Sequence, residues 1–419
     1  MSIILETEEG WIISHAKYFD KVKVQPPQTF PSVSSSTPFE EGNSAYLKLN
    51  PDLFEITDPF KNQLIINRKP VKDDSKLDFS KTTLLVKGLY ELVLNRPEAK
   101  RIFDEPEQIS QCEEIIQETC ERGVNLEESH ELEGKGNFSN GELQPKRSNA
   151  KAVATARNFF DTVKGIQWPE FHGQNPSTED AVMRVVGGCD TSHEFIFLPD
   201  TTFYCKDVSD LGKTFYDEEQ RGEQFDVILM DPPWRNKFIR RKKRKQHEAG
   251  YQLIDDDGIA KLPINKLLKE DGIVVVWCTN AKSHQDALIN EIFRDWNVKY
   301  LETWYWLKVT KSGVPICPFN IDNRKQPFEV IIIGTRQQNY LPLPINHDTP
   351  SNSKPKIVVS VPSSINSHKP PLIDVLRRRF KDKNFNRKCE IFARYLIPGF
   401  TSFGNEVIKL QHSSLFVES

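Results

Sequence analysis

One stretch of the chain has the residue types for chemistry on an amine. Asp231-Pro232-Pro233-Trp234 follows directly on the apolar run Phe225 to Met230 (FDVILM). Each proline fixes its own φ, and the residue before a proline is held extended. Neither proline has a backbone N–H, so the turn offers a carboxylate and bare carbonyls, an all-acceptor surface closed by an indole. The exocyclic amine of a nucleobase matches that surface, with two N–H donors and a lone pair delocalised into its ring. Acceptors that hold both hydrogens favour a more pyramidal nitrogen, whose lone pair is then free to attack an electrophile. An aromatic ring alongside stacks the base. The competing reading is a tight turn after a strand, with Trp234 packed in the core. For a bare Asp-Pro-Pro the two weigh equally; the full four-residue string after a buried strand favours chemistry.

Behind the turn lies Arg235 to Lys245 (RNKFIRRKKRK), in which Arg240, Arg241, Lys242, Lys243, Arg244 and Lys245 are consecutive cations. A solvated loop or a nuclear-import signal accounts for such a run. Its position favours a nucleic-acid contact, with import as a compatible second role. It leaves the turn directly, so it belongs at the rim of the site, where neutralised phosphates release counterions. Lys311 to Gln326 is a second long segment, suited to the opposite lip.

The elements that hold these residues follow from composition and pattern. The chain has 419 residues, 37% hydrophobic and 27% charged, with 26 Phe, 10 Tyr and 7 Trp. That length implies two or three domains, and the aromatic content excludes wholesale disorder. A formal net charge of −3 excludes a uniformly basic nucleic-acid-coating protein but not a local patch. No apolar run approaches the roughly 20 residues of a membrane span. The N-terminal MSIILETEEGW lacks the plan of a signal peptide, so the protein is expected to be intracellular. The seven cysteines form no CxxC pair and read as reduced core residues.

Val24 to Glu40 is rich in Pro, Ser and Thr and reads as a loop. Leu84 to Leu94 places Leu84, Leu85, Leu89, Leu92 and Val93 near one helical face, and Ile109 to Val124 is a second, more acidic helix candidate. We assign 1–126 to a mixed or helical accessory region, 127–149 to a polar linker or mobile insertion, and 150–200 to a connecting helical region. The last part, 201–419, is assigned to the domain that carries the chemistry. There, apolar runs alternate with helical patterns: Phe225 to Met230, Gly272 to Trp277, Val298 to Val309, Phe328 to Gly334, Ile357 to Val361 and Cys389 to Leu396 are strand-like. Asn280 to Trp296 and Pro370 to Lys381 are helical. The alternation predicts an α/β fold with a doubly wound, mainly parallel sheet. Ligands bind such sheets beyond the carboxyl ends of the strands, where Asp231 falls.

The same half carries Val274 to Asn280 (VVVWCTN), Trp306-Leu307-Lys308, Pro327-Phe328-Glu329, Ser367-His368-Lys369-Pro370-Pro371, Ile391-Phe392-Ala393-Arg394 and Gly404-Asn405-Glu406. With DPPW, this set resembles the eukaryotic adenine-N6 methyltransferases, the family of the mRNA adenosine methyltransferase catalytic subunit. SVPSSINSHKPP and GFTSFGNEV are most similar to its methyltransferase-like protein 4 branch. The resemblance covers about Thr201 to Gln411. It implies a Rossmann-like, S-adenosylmethionine-dependent methyltransferase fold in permuted order, with the catalytic strand preceding the glycine-containing cofactor segment. By resemblance, Asp231 and the Pro232 carbonyl hold the amine, with Pro233 completing the turn and Trp234 flanking the base. Asp207 and Val208 meet the adenine of the cofactor, and Lys308 pairs with its methionyl carboxylate. Arg394, Asn405 and Glu406 hold its ribose and methionyl parts, and Asp231 also borders it.

Each residue has a plainer alternative. Lys308 is a solvated strand-end lysine, Asp207 a turn cap and Asn280 a helix N-cap. Gln326 departs from the family, which often has Lys before the Pro-aromatic-Glu triplet. His368 has no second histidine at ligand spacing, so no metal is expected, and it more simply fixes the start of the Pro370 helix.

The resemblance implies N6 methylation of adenine in nucleic acid, RNA before DNA, including adenosine or 2′-O-methyladenosine of small nuclear RNA. The base must be single-stranded, looped or flipped to reach the site. The expected location is the nucleus, with the cytoplasm as a second place. Neither a membrane nor an obligatory protein partner is expected. Two alternatives stay open: a catalytically silent RNA-binding partner subunit, and an amino-methyltransferase acting on cytosine N4 or a glutamine amide. Retention of all four DPPW residues counts against the first, and the C-terminal strings count against the second.

Overall fold

The computed structural model describes residues 2–20, 22–25, 45–60, 73–103, 149–166, 168, 170–188, 191–216, 222–234, 254–320, 325–336 and 354–419. The strands among them are β1 (Ile3–Glu6), β2 (Gly10–Ile13), β3 (Val22–Gln25), β4 (Ala45–Leu49), β5 (Phe171–Asn175), β6 (Ala181–Gly188), β7 (Thr191–Phe197), β8 (Thr201–Cys205), β9 (Phe225–Met230), β10 (Leu268–Cys278), β11 (Val298–Lys308), β12 (Phe328–Arg336), β13 (Lys356–Ser360), β14 (Lys388–Ile391), β15 (Phe400–Phe403) and β16 (Phe416–Glu418).

Eleven of them form one sheet, ordered β1-β2-β13-β11-β12-β10-β9-β14-β15-β8-β5. Strands β2, β13, β11, β10, β9, β14, β15 and β8 run the same way, while β12 lies antiparallel between β10 and β11. Edge strands β1 and β5 are also reversed. The fold is thus α/β and Rossmann-like, as the alternation predicts, with one internal reversal. That reversal has a use: it brings the start of β12, Phe328 and Glu329, to the carboxyl ends of β10 and β11.

The apolar runs are continuous because both faces of the sheet are covered. Val227 and Leu229 of β9 pack into one core with Trp277, Trp306 and Tyr395. Ile228 and Met230 pack into the other with Trp234, Cys278 and Phe403. The helix after β10 spans Lys282–Ala287 and continues through a π turn at Leu288–Ile292 to Phe293–Asp295; it buries Leu288, Ile292, Phe293 and Trp296. Helix Ile373–Arg379 begins just past Pro370 and Pro371, where missing amide hydrogens cost little.

The boundary expected at residue 201 does not separate two cores. Strands β1 and β2 extend the large sheet, and β5 closes its other edge against β8. A second sheet, ordered β16-β4-β3-β6-β7, joins N-terminal strands to the C-terminal one. The region 150–200 is helical only over Ala150–Thr162; three strands follow, because the Phe-Ile-Phe run of β7 and its β6 partner pair as a hairpin. Helix Asp73–Leu94 also differs from its expected orientation. Val86, Tyr90 and Val93 are buried, while Leu84, Leu85 and Leu92 are exposed. The Tyr90 hydroxyl donates to the Gly313 carbonyl at 3.0 Å, which fixes the helix rotation. Val24 and Gln25 belong to β3 rather than to a loop. The helix candidate Ile109 to Val124, the linker at 127–148 and the rest of the Pro/Ser/Thr stretch lie outside the described residues.

Candidate active site

From β9 the chain moves to β10 on one side of the sheet, whereas β14 leads to β15 on the other. The β9–β14 junction is therefore a topological switch point, whose crevice opens beyond the carboxyl ends of both strands. Asp231 leaves β9 there, and Phe392-Ala393-Arg394 leaves β14. Phe392 has φ 63° and Ser367, ahead of His368 and Lys369, has φ 65°. Backbone in this region costs a side-chain-bearing residue on the order of 1–3 kcal/mol and concentrates at functional sites.

A line of alternating charge crosses the crevice. Lys308, at the end of β11, pairs with Glu329 on β12, and Glu329 pairs again with Lys369. Lys369 Nζ in turn lies 3.8 Å from Asp231 Oδ2. Lys308 also sits over the Trp306 ring at 4.7 Å, and Lys369 over Trp277 at 5.1 Å. Burial works to raise the Glu329 carboxyl, but the two ammonium groups prevail and hold it down to about 2. Burial raises Asp231 above its ordinary value; Lys369 is the strongest opposing influence, with Arg394 and Lys308 adding to it. Lys308 thus occupies the expected strand end, but as half of an ion pair rather than as a solvated lysine. Glu329 and Lys369 belong to quoted strings, yet no periodicity or spacing gives them a role.

The acceptor turn is partly engaged with itself. The Pro232 carbonyl accepts the Trp234 amide at 2.8 Å, and the Pro233 carbonyl accepts the Ile254 amide at 3.3 Å. A carbonyl has two lone pairs, so each keeps one for a ligand. Trp234 is 4% exposed, packs in the core, and donates its indole N–H to the Trp277 carbonyl at 2.8 Å. It braces the turn from below and presents no open stacking face, because β10 and helix Lys282–Ala287 cover it. His284 packs against the indole at 5.3 Å, its Nδ1 2.9 Å from Asp256 Oδ1. Asn280 is not the cap of that helix; Ala281 holds the position. The Asn280 amide instead donates to the Phe328 carbonyl at 2.9 Å and ties β10 to β12.

On the β14 side, Gly404 is required sterically: a Cβ there would stand 2.7 Å from the Ala393 carbonyl oxygen. The chains leaving β14 and β15 are therefore in backbone contact, with the Ala393 amide donating to the Phe403 carbonyl at 3.0 Å. Asn405 follows, its Oδ1 buried and without a hydrogen-bond partner among the described residues. Glu406 pairs with Lys409 at 2.9 Å. Arg394 stands in the crevice close enough to lower the Asp231 carboxyl. Asp207, at the end of β8, is exposed and accepts the Ser209 amide at 2.9 Å, which is the turn-capping role. The Val208 side chain is buried in the core, leaving its backbone to face any ligand.

These residues fit an adenosyl-sulfonium cofactor in chemical type: an orphaned amide oxygen for a hydroxyl or ammonium, a glycine-tight crevice, and cations within reach of a carboxylate. Among the described residues no group of three or more His, Cys, Asp or Glu is placed to hold a metal. His368 is buried, packed edge-on against His15 at 4.3 Å and against Tyr395 at 5.1 Å. The cations Arg240 to Lys245 lie outside the described residues. Trp234 and Ile254, the described residues on either side of them, form an isolated parallel bridge beside the acceptor turn.

Comparison with known proteins covers the same part of the chain. Residues 225–406 match the family described as MT-A70. The chain is 36% identical over 228 residues to N(6)-adenine-specific methyltransferase METTL4 of Mus musculus, covering 54% of this chain and 45% of that protein. It is 31% identical over 228 residues to a DNA N6-methyl methyltransferase of Caenorhabditis elegans, covering 54% and 56%. It is 36% identical over 203 residues to N6-methyladenosine RNA methyltransferase MTA1 of Cryphonectria parasitica, covering 46% and 55%. The chain spans about half the length of these relatives. β9, the acceptor turn, the Lys308–Glu329–Lys369 line and the Gly404-Asn405-Glu406 segment all fall within the matched residues, so the part of the chain that builds the crevice is similar to the MT-A70 family, with METTL4 proteins among its relatives.

Proposed function

We propose that this chain is an S-adenosylmethionine-dependent N6-methyltransferase of adenine in nucleic acid, acting on RNA before DNA, with small nuclear RNA adenosine or 2′-O-methyladenosine as the RNA target. The observation that carries the reading is Asp231, an acidic acceptor at the switch point whose charge is supported by a buried lysine. The cofactor, when bound, supplies an electrophilic methyl group on sulfonium sulfur. Asp231 and the free lone pair of the Pro232 carbonyl accept the two amine hydrogens and orient the nitrogen lone pair. Asp231, or water beside it, takes the proton that the amine gives up on methylation. Trp234 holds the turn in place from below. The Arg240 to Lys245 run neutralises substrate phosphates and serves as a nuclear-import signal.

RNA is favoured because two fungal relatives carry RNA methyltransferase names, against one nematode relative named for DNA. The silent-partner reading is weaker because the intact acceptor turn keeps its counter-ion. The test is to incubate the protein with labelled cofactor and single-stranded RNA, 2′-O-methylated RNA or DNA oligomers, and to identify the product nucleoside by mass spectrometry. N6-methylated adenine with wild type, and none with Asp231→Asn at unchanged thermal stability, is expected. Full turnover by Asp231→Asn removes Asp231 from the chemistry.

A further inference from the structure

Lys369 has to reach two carboxylates, Glu329 and Asp231, from a segment with little backbone support of its own. It lies between β13 and helix Ile373–Arg379. Pro370 and Pro371 follow it and have no N–H to donate. A proline also holds the residue before it extended, so Lys369 cannot fold back into a local helical turn. Ahead of it, the His368 amide donates to the Ile365 carbonyl at 3.3 Å, and Ser367 takes the left-handed φ of 65°. Such backbone persists only where its surroundings hold it. The hold comes from two other parts of the chain. Tyr395, next after Arg394 beyond β14, donates its hydroxyl to the Lys369 carbonyl at 2.9 Å. Its buried ring packs edge-on against His368 at 5.1 Å and against Phe19 at 6.2 Å. His15, just beyond β2, packs edge-on against His368 at 4.3 Å, because β2 runs beside β13. Both ring nitrogens of His15 and the Nδ1 of His368 are buried without a hydrogen-bond partner among the described residues. The two histidines therefore contribute packing, and the Tyr395 hydroxyl supplies the polar tie.

We propose that Tyr395 is a positioning residue for methyl transfer: its hydroxyl, on a platform of His368, His15 and Phe19, sets where the Lys369 ammonium stands between Glu329 and Asp231. The proposal rests on the methyltransferase reading above. Tyr395 touches neither the amine nor the methyl donor in it and acts only through Lys369. The tie joins the segment after β13 to the segment after β14, so the counter-ion of Asp231 is fixed from the other bank of the crevice. Its platform draws on residues that the family comparison does not include, since His15 and Phe19 lie outside the matched 225–406. A lysine side chain alone would not hold such a place, because its four-carbon stem is flexible. A displacement of about 1 Å far from the reacting atoms can cost a reaction about 100-fold.

Tyr395→Phe tests this by removing one oxygen atom while the ring and its packing stay. The variant is placed in a double-mutant cycle with Lys369→Met, with kinetics taken below the melting transition of all four proteins. In the otherwise wild-type protein, kcat on a single-stranded adenine-containing oligomer is expected to fall about 3- to 10-fold, the rate equivalent of one hydrogen bond. KM for the oligomer and for S-adenosylmethionine is expected to stay within about 2-fold, because Tyr395 binds neither. In the Lys369→Met background the same change is expected to leave kcat as it is, since the side chain that Tyr395 positions is gone. A Tyr395 with a merely structural role would lower kcat by the same factor in both backgrounds, and that outcome overturns the proposal. So does an unchanged kcat in the single variant, whatever happens to KM. A wild-type protein that methylates no adenine removes the methyltransferase reading itself, and this proposal with it.

Discussion

Lys369 stands 3.8 Å from Asp231 and is bonded at the same time to Glu329. The carboxylate expected to hold the amine is thus tied to a lysine more than a hundred residues away, and through it to β11 and β12. Burial would lower the Lys369 ammonium, but Asp231 and Glu329 together raise it, so it stays charged.

Replacing this lysine therefore tests the charge state of Asp231. Lys369→Met removes the strongest influence that holds the Asp231 carboxyl down, and its pKa rises further. A carboxyl with a raised pKa ionises only at higher pH, and the ionised form is the one that accepts an amine hydrogen beside the Pro232 carbonyl without presenting a competing O–H donor. We expect kcat to fall about 100-fold near neutral pH, with partial recovery as pH rises. A pH–rate profile checks this; a loss that is equal at every pH would show a structural role instead.

Trp234 makes a different prediction now that its burial is known. Trp234→Ala should destabilise the protein by roughly 3–5 kcal/mol, as expected for deleting a buried aromatic. Trp234→Phe should retain most of the stability and lose the hydrogen bond to Trp277, worth about 1 kcal/mol. Denaturant unfolding of both variants measures this. An Ala variant that is fully stable but has lost substrate affinity would restore the stacking role.

The cations after the turn are tested by salt. If Arg240 to Lys245 track a single strand, log affinity falls with log salt by about 0.7 per phosphate contacted. Neutralising Arg240, Arg241, Lys242 and Lys243 should flatten that slope by up to about 3 units and weaken binding alike across sequences. An unaltered slope, with the variant excluded from nuclei, would leave the run as an import signal only.

The His15–His368 pair predicts an acid-sensitive fold. Burial holds His368 down to about 3, and His15 well below its ordinary value, with His368 adding to the effect. The unfolded chain binds protons at these histidines first, so stability is full above about 6.5 and falls as pH drops. The slope is at most about 1.4 kcal/mol per pH unit for each histidine. Urea midpoints at pH 7.5 and 5.5 should show this loss, and His15→Phe should show about half of it. An equal loss in His15→Phe would exclude the pair as its source.

Much of the sheet was legible because strands buried on both faces need continuous apolar residues, and FDVILM, GIVVVW and FEVIIIG are such runs. The helix Asp73–Leu94 was misoriented because Leu84, Leu85 and Leu92 lie off the stripe of Val86, Tyr90 and Val93 that it buries. Only the packing of Tyr90 against the Gly313 carbonyl decides which stripe faces inward. Strands β5 to β7 were missed because Gly, Thr and charged residues interrupt their apolar positions, and pairing supplies what the pattern lacks.

The sequence by itself determined the chemistry of the turn: Asp, two residues without an N–H, and an indole are local facts, settled by covalent structure and φ. It also determined that such a turn ends a buried strand. The tertiary structure decided everything that depends on who stands opposite. Trp234 became a brace because β10 covers it, and Lys308 became half of an ion pair because β12 runs backwards and delivers Glu329. Lys369 became the counter-ion of Asp231 across the crevice, and Glu390 came to stand opposite Leu229 because β14 enters the sheet beside β9 rather than beside β13, its predecessor in the chain. Charges interact through space, with energies set by distance and burial, and one chain cannot show which of its distant segments will be neighbours.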